Sequence, residues 1–355
     1  MTEIEEIGEG LVDSVAEMFS VEESLRRIPR GLEWGRKGAR QRLWWENPQH
    51  GSEGSPDLIR MRILTEVVGL PQDAAKWPDG MISEVLGVTA QCLWGGLMFA
   101  DEMDGSLCFG AAVTAHEGTA GFLAMQLFRA MAAQAAVREL LFSSGIGQNF
   151  SEFPGGDTGG DMAELGQAIH YLFEQGGDDR PEEIDDDLSF LTSNLQGFPC
   201  VMCNCDEGNL VADLPFGETT SQVRIDTMSE HDIFGPAISI VLLLPIEVEE
   251  LEQITRQVLE MNRVEQPILS VPWCVGSWSI TGEDTFYLTY VLWLPFSMFS
   301  RNMLINLGAG MIARAEFWCK QMTGQSFEQA YPKAQKGMMD RLQRFLENSE
   351  RTDEG

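Results

Sequence analysis

The chain has 355 residues, 44% of them hydrophobic, with 24 Lys+Arg against 55 Asp+Glu and a formal net charge of -31. This length gives room for two or three domains with sizeable cores. The charge argues against nucleic-acid binding, which draws on Lys and Arg to neutralise phosphates, and against anionic membrane surfaces.

The first residues, Met-Thr-Glu-Ile-Glu-Glu, carry neither a basic stretch nor an apolar core of the kind a secretory leader needs, and no strictly apolar run approaches the ~20 residues of a membrane helix. Seven cysteines, an odd number, then read as reduced thiols in a cytoplasm.

An amphipathic helix is predicted over 10–28, with Leu11, Val15, Met18, Phe19 and Leu25 apolar and Pro29 and Gly31 ending it. Strands follow at 41–46 and 59–68, separated by a Gly, Ser and Pro-rich loop. In the second, Ile59, Met61 and Ile63 alternate with Arg60 and Arg62, which predicts a half-buried strand. Leu70-Pro71 ends it, and a weak helix containing Pro78 comes next. Residues 91–100 and 106–115 form a hairpin around Asp104-Gly105. A helix over 119–142 carries Ala132, Ala133, Ala135 and Ala136, small enough for close packing.

Residues 143–160 are Gly-rich, 161–175 suit a helix with Leu165, Ile169, Leu172 and Phe173 on one side, and the acidic run Asp178–Asp187 reads as an exposed linker. Then the first pattern returns. Val223, Ile225 and Thr227 alternate, as do Ile238, Ile240, Leu242 and Leu244, ending at Leu244-Pro245. A helix over 248–262 has Val248, Leu251, Ile254 and Val258 on one stripe. A Trp273-bearing strand answers Trp94, and the turn Gly282–Asp284 answers Asp101–Gly105. The last hairpin strand has Phe286, Leu288, Tyr290 and Leu292 on one face and Tyr287, Val291 and Trp293 on the other, so both faces are covered. Helices over 297–322 and 326–346 and an acidic tail finish the chain.

A period this long is a duplicated domain rather than a solenoid unit of roughly 20–50 residues. The expected fold is α+β: two similar domains, each an antiparallel sheet with flanking helices in the order α-β-β-β-α-β-β-α, packed as an internal pseudo-dimer. The expected divisions are a first copy over 1–143, a linker with one helix over 144–198, a second copy over 199–323 and a C-terminal helix and tail over 324–355.

Catalytic motifs are absent from the sequence. Cys200, Cys203 and Cys205 form C-x-x-C-x-C before Asp206 and Glu207, and three thiolates with a fourth ligand suit tetrahedral zinc. Cys274 and Cys319 stand alone, so there is no second half to the motif. The same segment also reads as a strand, with Cys203 and Cys205 on one face and Cys200 on the other. Gly308, Gly310 and Ala313 spell a dinucleotide-like G-x-G-x-x-A, but inside a predicted helix rather than between strand and helix. Four dispersed histidines make no ligand set, and His116 and His231, beside Glu117 and Glu230, read as solvated turn residues. Aromatic and apolar groups on strands are the candidate partner-binding residues: Trp44, Trp45, Tyr287, Val291 and Trp293. Sequestration between the two copies is the competing account of them.

The element order, and segments such as Ser239–Pro245 followed by the helix at Val248–Ile254, resemble the class I type III secretion chaperones and the related YbjN-like family. The resemblance spans nearly the whole chain, once per copy, and rests on no invariant motif. It implies an acidic, cytosolic, non-enzymatic protein without cofactors that holds an extended polypeptide on apolar sheet and helix surfaces, the tandem copy replacing a dimer. The chain is then a monomer with an internal pseudo-dimer. The long 47–56 loop and weak helix of the first copy depart from the pattern and favour a binding surface on one copy. The alternative is a zinc or thiol-redox protein centred on the three clustered cysteines.

Overall fold

The computed structural model describes residues 3–19, 25–36, 39–47, 58–73, 76–90, 92, 94–143, 179–198, 200–231, 234–248, 251–268, 271–282 and 286–337. The first half runs α1 (Glu3–Met18), β1 (Leu25–Ile28), β2 (Gly31–Arg36), β3 (Ala39–Glu46), β4 (Ile59–Val68), α2 (Met81–Ala90), β5 (Gly96–Ala100), β6 (Ser106–Ala115) and α3 (Ala120–Ser143). The second runs α4 (Glu183–Gln196), β7 (Met202–Asp206), β8 (Asn209–Phe216), β9 (Thr219–His231), β10 (Gly235–Val248), α5 (Leu251–Glu265), β11 (Trp273–Cys274), β12 (Ser277–Thr281), β13 (Phe286–Pro295) and α6 (Met303–Thr323). A last helix, α7, covers 327–337 of the described residues.

This is an α+β fold with two antiparallel sheets. Their strand orders correspond: β1-β2-β3-β4-β6-β5 in the first, β7-β8-β9-β10-β13-β12 in the second. Each half therefore has four strands before its middle helix, one more than expected. In the first half the extra strand comes from the span read as helix: α1 stops at Met18, Leu25 lies in β1, and Pro29 and Arg30 turn the chain into β2. A four-residue strand with two arginines has too little alternation to announce itself.

Other boundaries move for local reasons. Pro78 lies before α2, whose first residue Met81 donates its amide to the Pro78 carbonyl. Proline cannot donate in a helix interior, so the helix starts after it. Pro245 does not end β10; it sits where pairing with β13 slips between Leu243 and Glu247. The Asp104-Gly105 turn is as expected, both residues left-handed (φ 58° and 76°).

The acidic run is not a bare linker. Its C-terminal part opens α4, where acidic side chains favour the helix dipole. Asp187, 2% exposed, accepts the amides of Asn302 (3.0 Å) and Leu304 (3.2 Å) and so caps α6. Burial raises the Asp187 carboxyl above its usual range, against the pull of those two donors. The helix expected over 161–175, and the end of the one expected over 326–346, lie outside the described residues. The Gly308-Gly310-Ala313 motif falls inside α6, and Gly308 packs so tightly on Leu191 of α4 that a Cβ there would sit 2.5 Å from it. A helix interior offers no free amides for a pyrophosphate.

The halves pack reciprocally. α2 of the first lies on β12 of the second, α5 of the second lies on β5 of the first, and α2 touches α5. Asn262 of α5 donates to the Leu97 carbonyl of β5 (3.0 Å), and Thr89 of α2 donates to Ser279 of β12 (3.2 Å). That symmetry is the internal pseudo-dimer. One element breaks it: β11, from the second half, pairs with Val113 and Ala112 of β6 and so joins the first sheet.

Among the described residues one helix, 117–139, is long and apolar enough to cross a membrane, but it is mostly buried in the fold, against α1 and the sheet. Its alanines are the reason it lies so close: Ala133 and Ala136 are fully buried.

Candidate functional site

Trp45 is 1% exposed. Its indole donates to Glu9 (3.0 Å), Arg30 stacks 4.6 Å from the ring centroid, and Gly8 of α1 presses against the ring. It is a core residue and has no surface to offer a partner, contrary to expectation. A Cβ at Gly8 would meet the ring at 2.4 Å, whereas Gly10 has nothing within 4 Å. Glycine to alanine inside a helix ordinarily gains about 0.8–1.0 kcal/mol. Gly10→Ala is therefore expected to raise the urea midpoint, and Gly8→Ala, in the same helix, to lower it.

Trp44 lies on the opposite face, half-buried, under Arg62 (4.8 Å) and beside Leu64, Met98 and Cys108. Trp293 is half-buried: its indole reaches the Ala90 carbonyl of α2 (3.3 Å), and its ring meets His231 edge-on at 5.0 Å. It is tied into the joint between the halves, as the sequestration account has it. Val291 and Tyr287 are half-buried on β13, which has strands on both sides. His231 is 2% exposed at the end of β9, not in a solvated turn.

Cys203 and Cys205 do share a face of β7, and Cys200 precedes the strand. Burial raises the Cys203 thiol above its ordinary value, with Cys205 adding to it, and burial likewise raises Cys200. Raised thiols keep their protons and are poor nucleophiles. Among the described residues no three His, Cys, Asp or Glu side chains are placed to hold a metal.

Two features were not anticipated. The first is a charged cluster buried at the joint. Glu265, the last residue of α5, accepts from Arg314 Nε (2.9 and 3.1 Å), Trp278 Nε1 (2.9 Å) and Trp318 Nε1 (2.6 Å). Arg314 also donates to the Trp273 carbonyl (2.8 Å) and lies 3.6 Å from the Tyr290 ring centroid. Beside it Arg60, 1% exposed, crosses from β4 into the second half. All of these groups are closed to solvent and mutually satisfied, so the cluster holds the joint and offers nothing to a substrate. The signal for Arg60 was hidden, because alternation with Ile59 and Met61 reads as a polar outer face.

The second is an apolar surface at the edge of the second sheet. Phe190 of α4 is 56% exposed, Phe198 in the α4–β7 connection 56% and Met202 of β7 41%; Met228, 68% exposed, lies two strands further in, on β9. α4 packs against β7, and the connection that carries Phe198 joins the two. β7 pairs only with β8, leaving its other side open among the described residues. The corresponding edge of the first sheet, β1, is guarded by Arg26 and Arg27, which pair with Glu33 and with Glu9 and Asp13. The sequence signal was present in Phe190 and Phe198, two phenylalanines near the acidic run, but reading that run as linker removed them from consideration.

A cavity of about 420 Å³ lies between the halves, lined by Trp77, Phe99 and Leu259 with Asp101, Glu260, Arg256 and Arg263. Its arginines are already paired, Arg263 with Glu260 (2.6 Å) and Arg256 with Glu252 (3.1 Å) and Asp73 (3.4 Å). The chain matches no family model, no curated protein and no solved structure.

Proposed function

We propose that the chain is a non-enzymatic protein-binding module, chaperone- or adaptor-like, that holds a polypeptide partner on the second half. The observation that carries this is the exposed edge formed by Phe190, Phe198 and Met202 along an open strand. Large apolar groups gathered at one place mark an interaction surface, whereas isolated ones need no explanation. The corresponding strand orders and the reciprocal packing of α2 and α5 support reading the chain as a covalent counterpart of the chaperone dimers it resembles. The binding surface then belongs to one half only, since β1 is closed by its arginines. Seven free thiols suit a reducing compartment such as a cytoplasm.

The experiment is light scattering from a chemically unfolded protein diluted into buffer with the purified chain. Suppression at near-equimolar ratio is expected, and the double variant Phe190→Ser, Phe198→Ser is expected to lose it while keeping its thermal midpoint. Equal scattering with and without the chain would sink the proposal.

A further inference from the structure

The geometry points to β7 as a docking edge for a cationic extended segment, which adds to the second sheet as a further strand. The inference rests on the reading of the chain as a polypeptide binder and names the chemistry of the partner. An open sheet edge presents a row of backbone N–H and C=O groups that only another extended backbone satisfies in register. β7 meets that description: four of its five residues are exposed, and Met202, Asn204, Cys205 and Asp206 include none of the lysine, arginine or proline that usually blocks such an edge. β1 is the built-in comparison. It is the corresponding strand, and both of its central residues are arginines tied down by α1 and β2.

Charge selects the occupant. From Pro181 to Val223 the sequence contains nine acidic residues (Glu182, Glu183, Asp185, Asp186, Asp187, Asp206, Glu207, Asp213 and Glu218) and no Lys, Arg or His. This span is α4, β7, β8 and the start of β9, the elements that surround the edge. Of its acids, Asp187 is consumed in capping α6 and Asp185 is paired with Arg180. Asp206 lies on β7 itself and Glu207 follows it, and the nearest cations in the sequence, Arg180 and Arg224, lie outside the span, so an incoming strand with Lys or Arg at alternate positions meets an acidic edge. Its remaining positions point to the face of Cys203, which packs against the core, and are apolar. A second copy of this chain is disfavoured as occupant, because it brings the same acidic span and a net charge of -31 to the same edge.

The test uses the full-length chain and ten-residue peptides: one alternating lysine with valine, one alternating glutamate with valine, and one basic peptide with a central proline. Binding is read by calorimetry and by hydrogen exchange. The basic peptide is expected to bind, to slow exchange at 202–206, and to lose about tenfold in affinity between low and high salt as screening shortens. The acidic and proline peptides are expected to bind far more weakly. Asn204→Lys, which installs the guard that β1 has, is expected to weaken the basic peptide about tenfold with the thermal midpoint unchanged. Equal binding of the proline peptide, protection elsewhere than β7, or protection that appears on raising the protein concentration alone overturns the inference. If aggregation is suppressed but the basic peptide leaves β7 unprotected, this inference falls and the broader reading stands. Failure of the scattering experiment overturns the broader reading on its own terms.

Discussion

Glu265→Ala is expected to cost at least about 3–5 kcal/mol of stability, the range for breaking a buried ion pair from one side. Glu265 and Arg314 are each about 1% exposed, and among the described residues the carboxylate is the one counter-ion touching the guanidinium. Its removal strands the Arg314 charge in the interior and leaves the indole N–H groups of Trp278 and Trp318 without their acceptor. Each orphaned donor adds a penalty of order 1–3 kcal/mol, not fully additive because the three share one site. Against a typical total of about 5–15 kcal/mol, a loss of this size populates the unfolded chain. Glu265→Leu with Arg314→Met removes both charges together and is expected to recover a large part of the loss, since a buried pair is often replaceable by apolar residues. Urea unfolding followed by tryptophan fluorescence measures both variants. A change under about 1 kcal/mol for Glu265→Ala would show that the network contributes little.

The sequence disclosed the parts of the fold that repeat with a period. β9 and β10 announce themselves through Val223, Ile225 and Ile238 to Leu244, α5 through its apolar stripe, and the β5–β6 hairpin through Asp104-Gly105. The repeated element order and the reciprocal packing follow from matching those signals across the two halves. What stayed hidden lacks periodicity. β1 is too short to alternate, and the acids of α4 look the same whether they are solvated or serve a helix terminus. The candidate site suffered the same way. Adjacent tryptophans gave no indication of which one is enclosed; Gly8, thirty-seven positions earlier, decides it for Trp45. The open edge at β7 is defined by what does not pair with it, and no local pattern of residues encodes that.

Arg60 and Arg62 make the same point with opposite energetics, since they sit two residues apart on β4 and look alike in the sequence. Arg62 reaches outward, between Glu46 (3.1 Å) and Glu102 (2.7 Å), both of them more than a third exposed. Arg62 is itself 8% exposed, but both carboxylates it pairs with stay in contact with water when it is removed, so Arg62→Met is expected to cost less than Arg60→Met, chiefly through its stacking on Trp44. Arg60, on the same face of the strand, reaches into the second half instead. Its Nε donates to the Gln266 carbonyl (2.7 Å), Nη1 to Thr114 (2.8 Å) and the carbonyls of Val271 (3.1 Å) and Pro272 (3.0 Å), and Nη2 to Cys274 Sγ (3.1 Å) and the Glu265 carbonyl (3.4 Å). Burial lowers the readiness of this guanidinium to hold its proton, and Cys274 partly restores it. Four of these acceptors are backbone carbonyls, one at the end of α5 and three in its connection to β11, so one side chain of the first half organises the segment that carries the second half onto the first sheet. Arg60→Met is expected to cost about 3–5 kcal/mol by leaving those buried carbonyls without donors. Its effect is also expected to be directional. Because β11 pairs with Val113 and Ala112, hydrogen exchange at Trp273 and Cys274 should rise before that of β9 and β10, and denaturant unfolding should separate into two steps, one per half. Arg60→Lys, with three donors on a single nitrogen in place of a planar fork, is expected to rescue only part of this. A single unchanged transition for Arg60→Met would mean that the halves are held by the α2–α5 packing alone.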